Sequence, residues 1–202
     1  MHQNTVTAII LAGGRSRRMG GVNKSFVQLD GHPLIQHVID RITAQCGQIV
    51  ISANHDLQQY AQFGLPVISD LDQQMNGPLA GLLSCASEIQ SEEIICVTCD
   101  SPNIPIDLYS RLHQALEQSD KHWACVHDGQ RIQPLFSLFH RACVPELKAY
   151  LASGQRRAIE WVLSQAAIQV DFSDQAEAFY NINTPEQLDK AQNNTINKHA
   201  SS

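Results

Sequence analysis

Residues 8–24 read AIILAGGRSRRMGGVNK: a small apolar run, the pair Gly13-Gly14, three arginines within four positions (Arg15, Arg17, Arg18), two more glycines and Lys24. Glycine lets a backbone turn tightly and bring its N–H groups close to a ligand, and the cations add charge where those groups point. Residues 1–29 contain no Asp or Glu, although the whole chain carries a formal net charge of −6. A local cationic loop in an acidic chain suits a compact polyanion held at one place; an extended basic face for nucleic acid is not its pattern. The phosphate loop with Gly, four residues and Gly-Lys-Ser/Thr is excluded, because Val22-Asn23 precede Lys24-Ser25. The dinucleotide pattern G-x-G-x-x-G is excluded too, because Arg15 stands two positions after Gly13.

Asp100 is the second residue with chemistry to offer. It follows the apolar run IICVTC, and Pro102 and Pro105 fix the exit of the chain behind it. A carboxylate there suits Mg²⁺, which takes one or two carboxylates plus the oxygens of a phosphate substrate; helix capping is the plainer alternative. Asp70 also closes an apolar run, and suits a ligand hydroxyl, the support of a metal site, or a plain loop carboxylate. Ser52-Ala53-Asn54 ends a strand and offers a hydroxyl and an amide to a ligand at the sheet edge. Gly77-Pro78 opens a helix, and Gly81 inside it suggests a close approach. Gly154-Gln155-Arg156-Arg157 is a second cationic group, suited to a further phosphate or to a solvated helix start. Asn181-Ile182-Asn183 puts two amides on one face of an extended piece, for a heterocycle, a metal site's edge or a turn network. Cys96 and Cys99 form a C-x-x-C, but on a strand residues three apart face opposite ways, which argues against a metal or redox pair. The nine histidines show no metal-ligand spacing.

These residues need a sheet edge to converge on. Strands are expected at 6–11, 49–53, 67–70 and 94–99, with helices at 33–45, 57–63, 78–89 and 106–117 between and after them, a βαβ rhythm that implies a parallel sheet. Asp128-Gly129 turns a hairpin-like excursion between strands at 123–127 and 134–139. Helices at 144–151 and 157–165, a strand at 168–172 and a helix N-capped by Thr184 follow. The fold class is α/β, one domain over residues 1–192, with 193–202 expected to be a mobile tail lacking periodicity. At 202 residues, with 43% hydrophobic and 17% charged content, the chain is an ordinary globular domain. No run approaches the ~18 apolar residues of a membrane span. Six scattered cysteines in apolar surroundings suggest reduced thiols and a cytoplasmic setting.

The pattern L-A-G-G, an arginine-bearing spacer, R-M-G and a lysine resembles the signature loop of nucleotidyltransferases. With Gly77-Pro78-Leu79-Ala80-Gly81, Asp100, Gly154-Gln155-Arg156-Arg157 and Asn181-Ile182-Asn183-Thr184-Pro185 in order, residues 6–192 resemble the molybdenum cofactor guanylyltransferases. That resemblance implies a Rossmann-like three-layer sandwich around a mainly parallel, mixed sheet. It implies transfer of GMP from GTP to molybdopterin-bound molybdenum, with pyrophosphate released, and Mg²⁺ as cofactor. It places Leu11, Ala12, Gly13, Gly14, Lys24, Ser52, Asp70, Gly77 and Asp100 on GTP. Arg18, Lys24 and Asp100 become the catalytic group, Asp100 the metal ligand, and Arg156, Asn181 and Asn183 the pterin-phosphate side. Relatives commonly carry an asparagine near Ser52, so Asn54 is the amide left to stand in for it. Cofactor-biosynthesis or chaperone proteins are the implied protein partners; nucleic acid and membrane are not. The rivals are a CTP-dependent cytidylyltransferase, a sugar-phosphate nucleotidyltransferase and a non-catalytic nucleotide sensor.

Overall fold

The structure, a computed structural model, describes residues 6–12, 23–70 and 77–199, with side chains described to residue 192. Gly13, Gly14 and Arg18 therefore lie outside the described residues. The first strand, β1 (Val6–Leu11), is apolar on both faces because both are covered. Val6, Ala8 and Ile10 pack into one core and Ile9 into the other. A short hairpin follows, β2 (Gln28–Leu29) and β3 (His32–Pro33). Its turn places Asp30 at φ 50° and Gly31 at φ 81°, the doubly left-handed geometry of a tight hairpin.

Helix α1 (Leu34–Thr43), β4 (Gln48–Ser52), α2 (Leu57–Ala61), β5 (Val67–Ile68), α3 (Pro78–Glu88) and β6 (Glu93–Thr98) complete the parallel half. Then come α4 (Leu108–Glu117), β7 (Trp123–His127), β8 (Ile132–His140), α5 (Val144–Ala152), α6 (Ala158–Ser164), β9 (Ile168–Asp171) and α7 (Pro185–His199). The main sheet has seven strands in the order β5-β4-β1-β6-β8-β7-β9. β8 runs antiparallel to both neighbours, while β1–β4, β1–β6, β4–β5 and β7–β9 pair in parallel. The hairpin excursion thus inserts its second strand beside β6 before the parallel direction resumes. Residues of α1, α2 and α4 close one core, and α3, α5 and α6 the other, giving three layers. Buried Gln45 ties α4 to this frame: it accepts from Tyr109 N at 2.9 Å and donates to Pro105 O at 2.9 Å.

Several element ends differ from the sequence reading. β5 stops at Ile68, because Ser69 Oγ turns back to Ala53 O (3.0 Å) and Asp70 N to Asn54 Oδ1 (2.8 Å). α4 starts at Leu108, leaving Ile106 74% exposed. α7 continues to His199, past Asn193, where the sequence reading begins a mobile tail. A helix with a formed first turn propagates at lower cost than it nucleates, even through polar sequence. No described helix is long and apolar enough to cross a membrane.

All six cysteines are unpaired and buried. Cys96 packs into the α3 side of the sheet and Cys99 into the opposite side, as strand alternation requires. Burial pushes the thiols up, to about 11 for Cys46 and Cys143 and about 12 for Cys85, Cys99 and Cys125. A thiol reagent at pH 8 should therefore label fewer than about one cysteine per native chain within minutes, and all six after denaturation. Rapid labelling of several thiols in the native protein would contradict this packing.

Candidate functional site

The register sets the site. Leu11 is level with Ser52 on one side and Thr98 on the other. Ala12, Ala53 and Cys99-Asp100 therefore leave the carboxyl edge side by side. Two backbone bonds extend the ladder past the strands, Ala12 N to Ser52 O (2.9 Å) and Cys99 N to Leu11 O (3.1 Å). Asp100 emerges from an entirely buried strand and is itself 8% exposed. Burying a carboxylate is costly unless a cation or hydrogen-bond donors stand beside it.

Lys24 supplies the cation. The Lys24 ammonium lies 3.4 Å from Asp100 Oδ2 and donates to Asn183 Oδ1. Lys24 opens a short 3-10 turn whose cap is Asn23, the side chain accepting from Ser25 N at 3.1 Å. Asn183 is placed by two further devices. Ile182 N donates to Asp100 O at 2.9 Å, and its side chain is buried with Leu29 and Leu34. Thr184 and Gln187 cap α7 reciprocally: Gln187 N reaches Thr184 Oγ1 (3.3 Å), while Gln187 Oε1 accepts from Asn183 N (2.7 Å) and Thr184 N (3.1 Å). Asn181 accepts from Ser101 Oγ at 2.8 Å. The two amides thus both stand beside Asp100.

A cavity of about 430 Å³ opens on this edge, within the size range of small-molecule sites. Lys24, Asp100 and Asn181 line it together with Ser52, Asn54, Asp70, Gly77 and Gly81, and Leu11 and Ala12 belong to its wall. Gly77, at φ 105°, adopts a backbone conformation reserved for glycine, and Pro78 follows at the first turn of α3, which has no side-chain cap. Pro78 has no N–H to offer, and Ala80 N donates to Gly77 O at 3.1 Å, closing the first turn. Asn54 and Asp70 hold each other, Nδ2 to Oδ2 at 2.7 Å and Asp70 N to Oδ1 at 2.8 Å. The amide expected to read a base is thus already engaged in shaping the wall, with one N–H and one lone pair left over.

Arg156 does not line the cavity. Its guanidinium donates to Leu151 O (2.5 Å) and Gln155 O (2.6 Å) at the end of α5, and Arg157 pairs with Glu160 at 2.6 Å. Since α5 returns from the far end of β8, this turn lies at the same sheet edge, outside the cavity. His55 and Leu135 line the cavity without having been singled out in the sequence. Leu135 gets there only because β8 lies beside β6, which strand periodicity cannot reveal. Among the described residues no group of three or more His, Cys, Asp or Glu could hold a metal alone. One carboxylate that already faces a cation fits Mg²⁺ only where phosphate oxygens complete the shell.

Residues 8–168 match the family described as the MobA-like NTP transferase domain. A protein of Shewanella loihica named molybdenum cofactor guanylyltransferase is 43% identical over 182 residues, 90% of this chain and 93% of its own. A protein of that name from Pasteurella multocida is 42% identical over 179 residues, covering 89% and 95%. The crystal structure of molybdopterin-guanine dinucleotide biosynthesis protein A from Archaeoglobus fulgidus shares the fold, with a TM-score of 0.77 at 20% identity over 95% of this chain and 99% of that one.

A Cβ at position 81 would stand 2.3 Å from Ser52 Oγ and 3.3 Å from Asp70 Oδ1. Gly81→Ala should therefore cost about 1–3 kcal/mol by overpacking, at roughly 2–4 °C of melting temperature per kcal/mol. In the pair Ser52→Ala with Gly81→Ala, the remaining contact at residue 52 is the 3.5 Å approach of its Cβ. Differential scanning calorimetry should show most of the loss recovered. An equal loss in both proteins would mean that Ser52 does not occupy that space.

Proposed function

The chain belongs to the MobA-like NTP transferase family, and we propose that it transfers GMP from GTP to the terminal phosphate of molybdopterin-bound molybdenum, releasing pyrophosphate, in molybdenum cofactor biosynthesis. The observation that carries this reading is the Lys24–Asp100 pair, 3.4 Å apart, in the lining of a cavity of about 430 Å³. An oxygen of the pterin phosphate bonds to the α-phosphorus of GTP, and the bond from that phosphorus to the pyrophosphate oxygen breaks. The attacking phosphate is already ionised at neutral pH, so the reaction needs little general-base help. The barrier is the approach of one anion to another, and catalysis is positioning plus neutralisation.

Lys24 neutralises phosphate charge at the edge where Ala12 leads into Gly13 and Gly14. Those glycine N–H groups and Arg18 hold the departing β- and γ-phosphates in this reading. Asp100 would hold Mg²⁺, which would supply positive charge to the phosphate oxygens. Ser52, Asp70 and Gly77 face the nucleoside in the remainder of the cavity. Asn181 and Asn183 stand on the pterin-phosphate side, and Arg156 joins them by exchanging its two backbone carbonyls for the incoming phosphate. The compartment is the cytoplasm, consistent with buried unpaired thiols. Proteins that make or carry the pterin are the expected partners.

Two measurements test this. With Mg²⁺, GTP should raise the melting temperature more than CTP, UTP or ATP, by mass action on the folded state; a largest shift with CTP would move the chain to the cytidylyl branch. Asp100→Asn and Lys24→Ala should fold and each lose at least about 100-fold in guanylyl transfer, the usual cost of one preorganised contact. Extra Mg²⁺ should partly restore Asp100→Asn and leave Lys24→Ala unchanged. Near-normal turnover by folded Asp100→Asn at ordinary Mg²⁺ would remove Asp100 from the metal site.

A further inference from the structure

Tyr60 lies on α2 with its side chain fully buried, and its hydroxyl ends where the chain enters and leaves the glycine-arginine segment. It donates to Ala12 O at 2.7 Å, on the entering side. On the leaving side it lies 2.7 Å from Ser25 Oγ and 3.1 Å from Asn23 Nδ2. A phenol has one proton and a carbonyl only accepts, so the proton goes to Ala12. The Asn23 amide and the Ser25 hydroxyl can then both donate to the phenol oxygen. Burial pushes Tyr60 up to about 12, so the proton stays in place across the neutral range.

The grip extends to both neighbours of Lys24. Asn23 Nδ2 also donates to Asp56 Oδ2 at 2.9 Å, so residues 56 and 60 hold Asn23 from the start of one helix. Ser25 is fully buried and its Oγ stands 3.1 Å from Cys99 Sγ, next to Asp100. The Tyr60 ring packs against Phe26 with centroids 4.8 Å apart, fixing where the hydroxyl points. One hydroxyl thus sets the spacing between the exit of β1 and the turn that carries Lys24. Lys24 in turn bridges Asp100 and Asn183.

We infer that Tyr60 is a positioning residue for phosphate transfer: its hydroxyl, through Ala12 and the Asn23–Ser25 turn, holds the Lys24 ammonium against Asp100 and the bound nucleotide. The inference rests on the guanylyl-transfer reading of the site. Tyr60→Phe keeps the packed ring and deletes only the tie. A merely structural tyrosine would lower the melting temperature while leaving the folded enzyme's rate alone, or would scale every variant equally.

The test is a double-mutant cycle of Tyr60→Phe and Lys24→Ala, read as kcat/KM for guanylyl transfer far below the melting temperature, with circular dichroism confirming folding. Tyr60→Phe alone should lose about tenfold, the scale of a small misplacement of a catalytic group. In the Lys24→Ala background the same change should cost less than about twofold, because its route of action is gone. Ser25→Ala, which removes one partner of the hydroxyl, gives an independent arm and should show a smaller loss that also vanishes without Lys24. An unchanged rate in folded Tyr60→Phe, or an equal loss in both backgrounds, overturns the inference. A wild-type protein inert with GTP but active with CTP would instead correct the substrate, and the cycle would be read with CTP. If Lys24→Ala leaves transfer intact, both the site reading and the role of Tyr60 fall.

Discussion

A carboxylate set at the tip of a buried strand must be met by a cation, and the arrangement of this protein follows from that requirement. Asp100 is 8% exposed, so protein groups supply most of its surroundings. Lys24 answers it across 76 residues of sequence, and Asn183 holds the same ammonium from 159 residues away. Desolvation makes such a pair costly to build but exacting in geometry. In the proposed reading the ammonium is held in place before the phosphates arrive, so little reorganisation of Lys24 remains.

The sheet converts this requirement into a location. Because β1, β4 and β6 run parallel and in register, their ends present Ala12, Ala53 and Asp100 as neighbours. α3 then begins at the same edge, since a parallel crossover must return its helix there. Gly77 and Gly81 serve two different needs. Gly77 takes a positive φ of 105° at the helix entrance, whereas Gly81 makes room for the Ser52 hydroxyl. The antiparallel β8 adds Leu135 to the wall and, through α5, brings the Gly154–Arg157 turn back to the same edge.

What could be read from the chain alone was local. The βαβ rhythm, the glycine-rich exit of β1, Asp100 after an apolar strand and the cap at Thr184 are all written within a few neighbouring residues. The opposite facing of Cys96 and Cys99 followed from strand period alone. What could not be read were distances across the fold. Nothing near Asn183 in sequence announces Lys24 as its partner, and Tyr60 looks like any helix-core aromatic until Ala12 and Asn23 are seen beside it. Asn54 was legible as a cavity residue, but not as the clamp on Asp70. Arg156 was legible as a cation at a helix start, whereas its hydrogen bonds to Leu151 O and Gln155 O depend on how α5 ends. The excess of helix beyond Asn193 was hidden because its polar sequence lacks a periodic apolar face.

We propose that Lys24 and Asp100 together seat a metal-bound nucleoside triphosphate. A crystal structure of the protein grown with Mg²⁺ and a GTP analogue that resists transfer tests it most directly. The expected result is a cation on an Asp100 oxygen, the Lys24 ammonium on a phosphate oxygen, and the guanine in the part of the cavity walled by Ser52, Asp70 and Gly81. A nucleotide bound elsewhere, or in this cavity with its phosphates pointing away from Asp100 and the Lys24–Asp100 pair undisturbed, would contradict it.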